Sequence, residues 1–256
     1  MNLLKTIAVA FSMFSSLPMP QFKWDKDSMR YSLCAFPLIG AVIGLAGWLW
    51  IHAADYFQVP ELFKGTVLCL IPTLITGGIH LDGYVDTCDA LASFAPGERR
   101  LEILKDPHIG AFAAIRLCCY FFLYAALWIC LPRYRFFPIL LSFVLSRTLS
   151  ALGVTTFPLA KNTGLAHTFA EAADKKRTLI FLGFMAVLLS ILLPICGWCG
   201  LGMACAAWLV FLYFRRMCVR QFGGLTGDLS GWFLIQAEKW MLIALVAVEY
   251  MQGKWG

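Results

Sequence analysis

Charged residues are scarce in this chain. They make up 14% of its 256 residues, whereas 60% are hydrophobic, and the mean hydropathy is +0.74. A soluble domain of this size carries about 25% charged and about 45–50% apolar residues. The composition therefore excludes an ordinary soluble domain. It predicts an all-α polytopic membrane protein that forms a single domain over residues 1–256.

Several familiar kinds of site are also missing. The ten cysteines form no paired framework, and most lie in apolar runs, where cysteine packs as a small hydrophobic residue. No second histidine stands at zinc-ligand spacing from His80. No Gly-Lys-Ser/Thr follows the glycine-rich stretches, which excludes a P-loop. The CxxC at residues 196–199 has no thioredoxin-like context, so a local disulfide or two free thiols is favoured over redox chemistry.

The chain does contain seven apolar segments of membrane-spanning length. These predicted spans are residues 33–52, 62–79, 110–131, 136–157, 178–196, 200–214 and 232–251. Before them, residues 3–17 have the periodicity of an amphipathic helix that lies in the membrane interface and stops at Pro18 and Pro20. A short additional span is the alternative for this segment. No secretory cleavage site is visible near it.

The basic residues predict the orientation. Fourteen lysines and arginines fall on the side of the N-terminus and of loops 80–109, 158–177 and 215–231, against four on the other side. By the positive-inside rule the first side is cytoplasmic. The net charge of +6 is then a topology signal, and it does not indicate nucleic-acid binding.

Three carboxylates stand out at the entry to the first long cytoplasmic loop. Asp82, Asp86 and Asp89 have the spacing i, i+4, i+7, which places them within roughly 60° of one another on a helix. Hard oxygen ligands beside the glycine pair Gly77 and Gly78 suggest a Mg²⁺ site that binds a phosphate ester. The alternative is a solvated helix face outside the membrane.

Further polar residues on the same side are candidates for this site. Asp106 either caps the next helix, with Pro107 at the first helical position, or takes part in chemistry. Arg147 lies in the middle of a predicted span, and its buried guanidinium needs a carboxylate or a phosphate as partner. The remaining candidates are His80, Asn162, Gly223, Gly224, Thr226 and Asp228.

These motifs, in this order, resemble the cobalamin synthase family, whose activity is adenosylcobinamide-GDP ribazoletransferase. The most specific match is the block from Gly77 to Asp89. Asp106 to Gly110, Ser146-Arg147 and Gly223 to Asp228 match later blocks. Ser16 and His108 stand where arginines are usual, and Ala90 replaces a glycine. Because of these departures we expect no arginine contact to phosphate at positions 16 and 108. The departures do not change the expected activity.

The resemblance implies a reaction that joins adenosylcobinamide-GDP to α-ribazole or its 5′-phosphate and releases GMP. In this interpretation Asp82, Asp86 and Asp89 hold Mg²⁺ against the pyrophosphate. One of Asp89, Asp106 or Asp228 accepts the proton of the attacking hydroxyl. The backbones of Gly77, Gly78, Gly223 and Gly224, together with Arg147, bind phosphate oxygens, and His80, Asn162 and Thr226 contact substrate.

The implied location is the bacterial inner membrane, with the lipid bilayer and the two substrates as partners. Association with other cobalamin-assembly enzymes and a homo-oligomer both stay open. A CDP-alcohol phosphotransferase of phospholipid synthesis is one rival interpretation, although its motif places Ala-Arg where this chain has Val85-Asp86. A transporter or scaffold without chemistry is the other.

Overall fold

The computed structural model describes residues 3–20, 22, 25–131 and 134–255, and 81% of these residues are helical. Lys23 and Arg133, which entered the charge count, lie outside the described residues. Within the described ranges the only strand-like pairing is an isolated bridge between Leu159 and Leu225. The helices are α1 (Leu3–Phe14), α2 (Lys26–Met29), α3 (Ser32–Tyr56), α4 (Glu61–Thr76), α5 (Ile79–Ala92), α6 (Gly97–Ile103), α7 (Ala111–Ile129), α8 (Phe136–Thr156), α9 (Leu165–Ala172), α10 (Lys175–Ile195), α11 (Trp198–Phe222) and α12 (Gly227–Trp255).

Six described helices, α3, α7, α8, α10, α11 and α12, are long and apolar enough to cross a membrane. α4 and α5 together, a pair bent at a short break, would make a seventh if they count as one span. Near the start of α4, Lys64 pairs with Asp55 at the end of α3 (2.8 Å), and near its end the Ile75 carbonyl accepts a hydrogen bond from the Ser16 amide (2.8 Å). α8 lies at the centre, because α3, α10, α11 and α12 all pack on it. The predicted all-α polytopic membrane fold is confirmed.

The predicted span 62–79 is shorter in the structure than in the sequence interpretation. α4 ends at Thr76, and α5 leaves it at an angle of 96°. Gly77 and Gly78 make this bend with φ values of +63° and +81°, a region that glycine enters without the steric penalty of a Cβ. The three aspartates therefore lie on a separate helix that runs across one end of the bundle, which we call the acidic end.

The N-terminal helix α1 packs against α3, and its residues Val9, Ala10 and Phe11 are buried. It has 12 residues, a length of roughly 18 Å at 1.5 Å per residue. A hydrocarbon core of about 30 Å needs about 20 residues, so the alternative of an additional span is wrong.

Two predicted boundaries near the C-terminus also differ. The span predicted at 200–214 is the 25-residue helix α11. The last span begins at Gly227 rather than at residue 232, so the second half of the glycine-rich stretch is helical. Gly223 ends α11 in the left-handed region (φ +72°), and the Thr226 hydroxyl caps α12 by accepting a hydrogen bond from the Leu229 amide (3.3 Å). Asp228 consequently lies in the first turn of a helix.

The helices α5 and α12 cross in direct backbone contact at the acidic end. A Cβ on Gly83 would lie 2.7 Å from the carbonyl oxygen of Asp228, and a Cβ on Gly231 would lie 2.8 Å from that of His80. Both distances are too short for a carbon–oxygen contact, and the facing atoms belong to backbone that has little freedom to move. The two glycines thus allow the helix that carries the aspartates to lie directly on the start of α12.

We expect Gly83→Ala to destabilise the protein by about 1–3 kcal/mol, the usual cost of overpacking a close contact. The added methyl group would push α5 away from α12. Thermal unfolding of the purified protein in detergent measures the effect. Gly183→Ala on α10 is the matched control, because a Cβ there meets nothing within 4 Å. Equal melting temperatures for the two variants would contradict the close crossing.

Candidate active site

Asp82 and Asp86 lie on the helix α5, as the spacing predicted, and Asp228 lies across from them on α12. The negative charges of Asp82, Asp228 and Asp89 all act on Asp86 at short range. Asp228 in turn feels repulsion from Asp82 and attraction from Lys161. The crossing of α5 and α12 thus concentrates negative charge, and a cation or a hydrogen-bond donor would relieve it.

Asp89 contacts the start of α7. Its carboxylate accepts a hydrogen bond from the Gly110 amide (2.7 Å), where α7 begins. The positive end of the α7 dipole favours a carboxylate at that place. The predicted roles of Asp89 as metal ligand or base stay predictions.

A cavity of about 470 Å³, which we call the inner cavity, opens beside the crossing. Apolar side chains of α1, α3, α8, α9 and α12 form most of its wall. Its polar lining includes His80, Asp82, Thr226, Asp228 and Ser230. This size falls in the range of about 300–1,000 Å³ that is typical of small-molecule sites.

A second and more open cavity of about 450 Å³, the outer cavity, lies on the other side of α5. Gly77, Gly78, Asp82, Asp86 and His108 are among its lining residues. Asp82 lines both cavities. Two ligands bound one on each side would therefore meet at Asp82.

Two lysines in the inner cavity were not identified as site residues from the sequence. Lys105 follows α6, and Lys161 lies between α8 and α9. The Lys161 ammonium donates to the Leu101 carbonyl (2.9 Å). Burial, together with the neighbouring charge of Lys105, lowers the pKa of Lys161. Their proximity is a tertiary feature, because 56 residues separate them in the chain.

His80 is 8% exposed and lines the inner cavity. Its ring lies edge-on to Phe36, with 5.7 Å between the centroids. The Nε2 atom is buried and has no hydrogen-bond partner among the described residues. A buried polar atom of this kind needs a partner, so the structure leaves Nε2 available to a ligand.

The predicted glycine contacts divide into two groups. Gly77 and Gly78 line the outer cavity, where a ligand can approach their backbone. Gly223 and Gly224 line neither cavity. A Cβ on Gly224 would lie 2.5 Å from backbone atoms of Leu159 and Ala160, so its small size serves packing. Their predicted contact with phosphate has no support from this position.

Asp106 and Asn162 also lie outside both linings, and both are exposed. The Asp106 carboxylate accepts hydrogen bonds from the amide (3.0 Å) and the Nδ1 (2.8 Å) of His108, and these bonds lower its pKa. A carboxylate with a lowered pKa is a weak base. The alternative that Asp106 caps α7 is wrong, because Gly110 holds the N-cap position.

Arg147 is placed away from the two cavities. It is 1% exposed in the middle of α8 and forms an ion pair with Glu238 of α12, which is 4% exposed. Ser146 also donates to Glu238 (3.2 Å). The sequence correctly required a partner for this guanidinium, but the structure supplies a carboxylate rather than a substrate phosphate. Glu238 escaped notice, although an acid within an apolar span is itself a signal.

The chain matches the cobalamin-5-phosphate synthase family over residues 6–246. It belongs to this family. A protein of Lachnoclostridium phytofermentans named adenosylcobinamide-GDP ribazoletransferase is 41% identical, with all of both chains covered. Proteins of the same name from Clostridium botulinum (30% identical, 93% of this chain and 95% of the relative) and Desulfitobacterium hafniense (33%, 96% and 98%) are also similar. No solved structure matches the chain.

The residues at the crossing fit a magnesium ion. In the described part of the chain, no three Asp, Glu, His or Cys side chains converge closely enough to enclose an ion by themselves. Mg²⁺ does not need such a cage, because it keeps several waters and uses one or two carboxylates together with substrate phosphates. Asp82 and Asp86 on α5 and Asp228 on α12 are carboxylates of the kind that such a site needs, one or two at a time.

Proposed function

We propose that the protein joins adenosylcobinamide-GDP to α-ribazole, or to its 5′-phosphate, and releases GMP. The observation that carries the proposal is that Asp82 lines both cavities, with Asp228 near it in the inner one, so that a nucleophile and a pyrophosphate can meet there. The full-length similarity to proteins named for this reaction supports it. We further propose that the reaction depends on Mg²⁺.

In this proposal one or two of Asp82, Asp86 and Asp228 would hold the ion, which supplies charge neutralisation for the pyrophosphate when bound. Gly77 and Gly78 line the outer cavity and leave room there for phosphate oxygens, while their own amides donate to the Thr73 carbonyl. A carboxylate at the crossing accepts the proton of the attacking ribazole hydroxyl. Positioning and electrostatic stabilisation account for most of the catalysis in phosphoryl transfer, so a rigid crossing of α5 and α12 suits the task.

The acidic end is proposed to face the cytoplasm of a bacterial inner membrane. The excess of lysine and arginine on this side supports that orientation. The relatives are bacterial. The proposed nucleotide substrate is found in the cytoplasm, which agrees with this orientation.

The direct test is GMP release from adenosylcobinamide-GDP by membranes that contain the protein, with α-ribazole 5′-phosphate as acceptor. We expect release in the presence of Mg²⁺, loss of release with excess EDTA, and recovery when Mg²⁺ is restored. Parallel reactions contain labelled CDP-diacylglycerol. Consumption of the CDP-lipid without GMP release would favour the phospholipid synthase interpretation, and release that persists in EDTA would exclude the magnesium proposal.

A further inference from the structure

The inner cavity has positive charge concentrated in one part of its wall. Lys105 and Lys161 line it there, and the burial that lowers the pKa of Lys161 is reinforced by the charge of Lys105. Lys161 is half-buried and Lys105 is exposed, and two ammonium groups that repel one another would be stabilised by a shared anion. Lys161 also attracts Asp228, so this positive part of the wall adjoins the carboxylates that the proposed reaction uses.

The start of α9 lines the same cavity. Thr163, Gly164, Leu165 and Ala166 are all lining residues, and α9 begins at Leu165 with Gly164 as N-cap. Gly164 has no side chain with which to cap the helix, and the first amides of a helix carry its positive dipole end. A phosphate beside two lysines and a helix N-terminus is a common arrangement in proteins.

Part of the apolar wall is aromatic. The ring centroids of Phe14 and Phe36 are 4.6 Å apart, and those of Phe14 and Phe169 are 5.1 Å apart. All three rings line the cavity. Such a wall suits a flat, weakly polar base. The aromatic wall lies in the same cavity as the Thr226 hydroxyl and the carboxylates of Asp82 and Asp228.

From this arrangement we propose that the inner cavity binds the ribazole substrate as its 5′-phosphate. Lys105, Lys161 and the N-terminus of α9 hold the phosphate, and Phe14, Phe36 and Phe169 hold the base. The ribose lies beside Asp82 and Asp228, and the larger corrinoid pyrophosphate approaches from the outer cavity. This inference rests on the proposed function and adds to it which cavity takes which substrate.

The reaction balances in this arrangement. A ribose hydroxyl oxygen forms a bond to the phosphorus that is linked to cobinamide, and the bond from that phosphorus to the bridging oxygen breaks. The bridging oxygen leaves as part of GMP, and the hydroxyl proton passes to a carboxylate at the crossing. The 5′-phosphate of the ribazole is not altered in the reaction. Lys105 and Lys161 therefore affect the binding of this substrate and the selectivity for it.

The test compares two acceptors, α-ribazole 5′-phosphate and free α-ribazole, by the ratio of their kcat/KM values. Lys105→Ala should lower this ratio by about tenfold or more, since a hydrogen bond between charged groups is lost with only one acceptor. Lys161→Ala should act in the same direction, and Lys105→Arg should retain most of the ratio. Lys176→Ala is the matched control, because Lys176 is exposed at the start of α10 and lines neither cavity.

A ratio that stays constant while both kcat/KM values fall together would overturn the inference, because the lysines would then bind the pyrophosphate of the other substrate. A ratio unchanged with both values at the wild-type level would overturn it as well. GMP release by the wild-type protein tests the proposed function separately. A failure of the reaction itself is therefore distinguishable from a wrong placement of the ribazole.

Discussion

Replacing Asp82 with alanine should lower GMP release by about a thousandfold, because the change removes a charged ligand from the place where the two cavities meet. Asp82 is the one carboxylate that lines both cavities. Its loss therefore affects both the pyrophosphate and the attacking hydroxyl. The measurement is initial-rate GMP release by membranes that carry equal amounts of protein.

The variant should fold and insert normally. The Asp82 side chain is exposed and makes no hydrogen bond or ion pair to another described residue, so no buried partner is left unpaired. Asp106→Ala is the control, an exposed carboxylate at the same end of the bundle that lines neither cavity. A loss in Asp106→Ala as large as in Asp82→Ala would restore Asp106 as the base. Near-normal release in Asp82→Ala would exclude the metal assignment.

The helices that cross the membrane were predictable because each carries its own signal. A run of about 20 apolar residues specifies a span regardless of its neighbours. The spacing of the aspartates likewise specified a helix, and α5 confirms it. The bend at Gly77 and Gly78 was less predictable, since a glycine pair is equally typical of a phosphate-binding loop and of a left-handed turn.

The inner cavity was not predictable from the sequence, because its wall combines α1, α3, α8, α9 and α12. Which lysines meet in it depends on how these helices pack. In the sequence, Lys105 and Lys161 are indistinguishable from lysines that only set topology. The same limit applies to Arg147. Its need for a partner follows from burial alone, but the identity of the partner depends on which helix faces α8.

Arg147→Met should destabilise the protein by about 3–5 kcal/mol, because the carboxylate of Glu238 would be left buried without a partner. The double variant Arg147→Met, Glu238→Leu should recover most of this loss, since replacing both members of a buried ion pair with apolar residues is often neutral. Thermal unfolding in detergent or lipid nanodiscs measures both effects, and GMP release is assayed in parallel.

The two possible roles of Arg147 give opposite results in the double variant. If the guanidinium serves only to neutralise Glu238, the recovered protein should also recover GMP release, with a KM for adenosylcobinamide-GDP close to that of the wild type. If the guanidinium also binds a substrate phosphate, the double variant should be stable but should show a KM raised by about tenfold or more. The burial of Arg147 at 1%, outside the linings of both cavities, leads us to expect the first result. Arg147 and Glu238 would then join α8 to α12 and hold α12 in place beneath α5, so that the pair positions Asp228 without contacting the substrates.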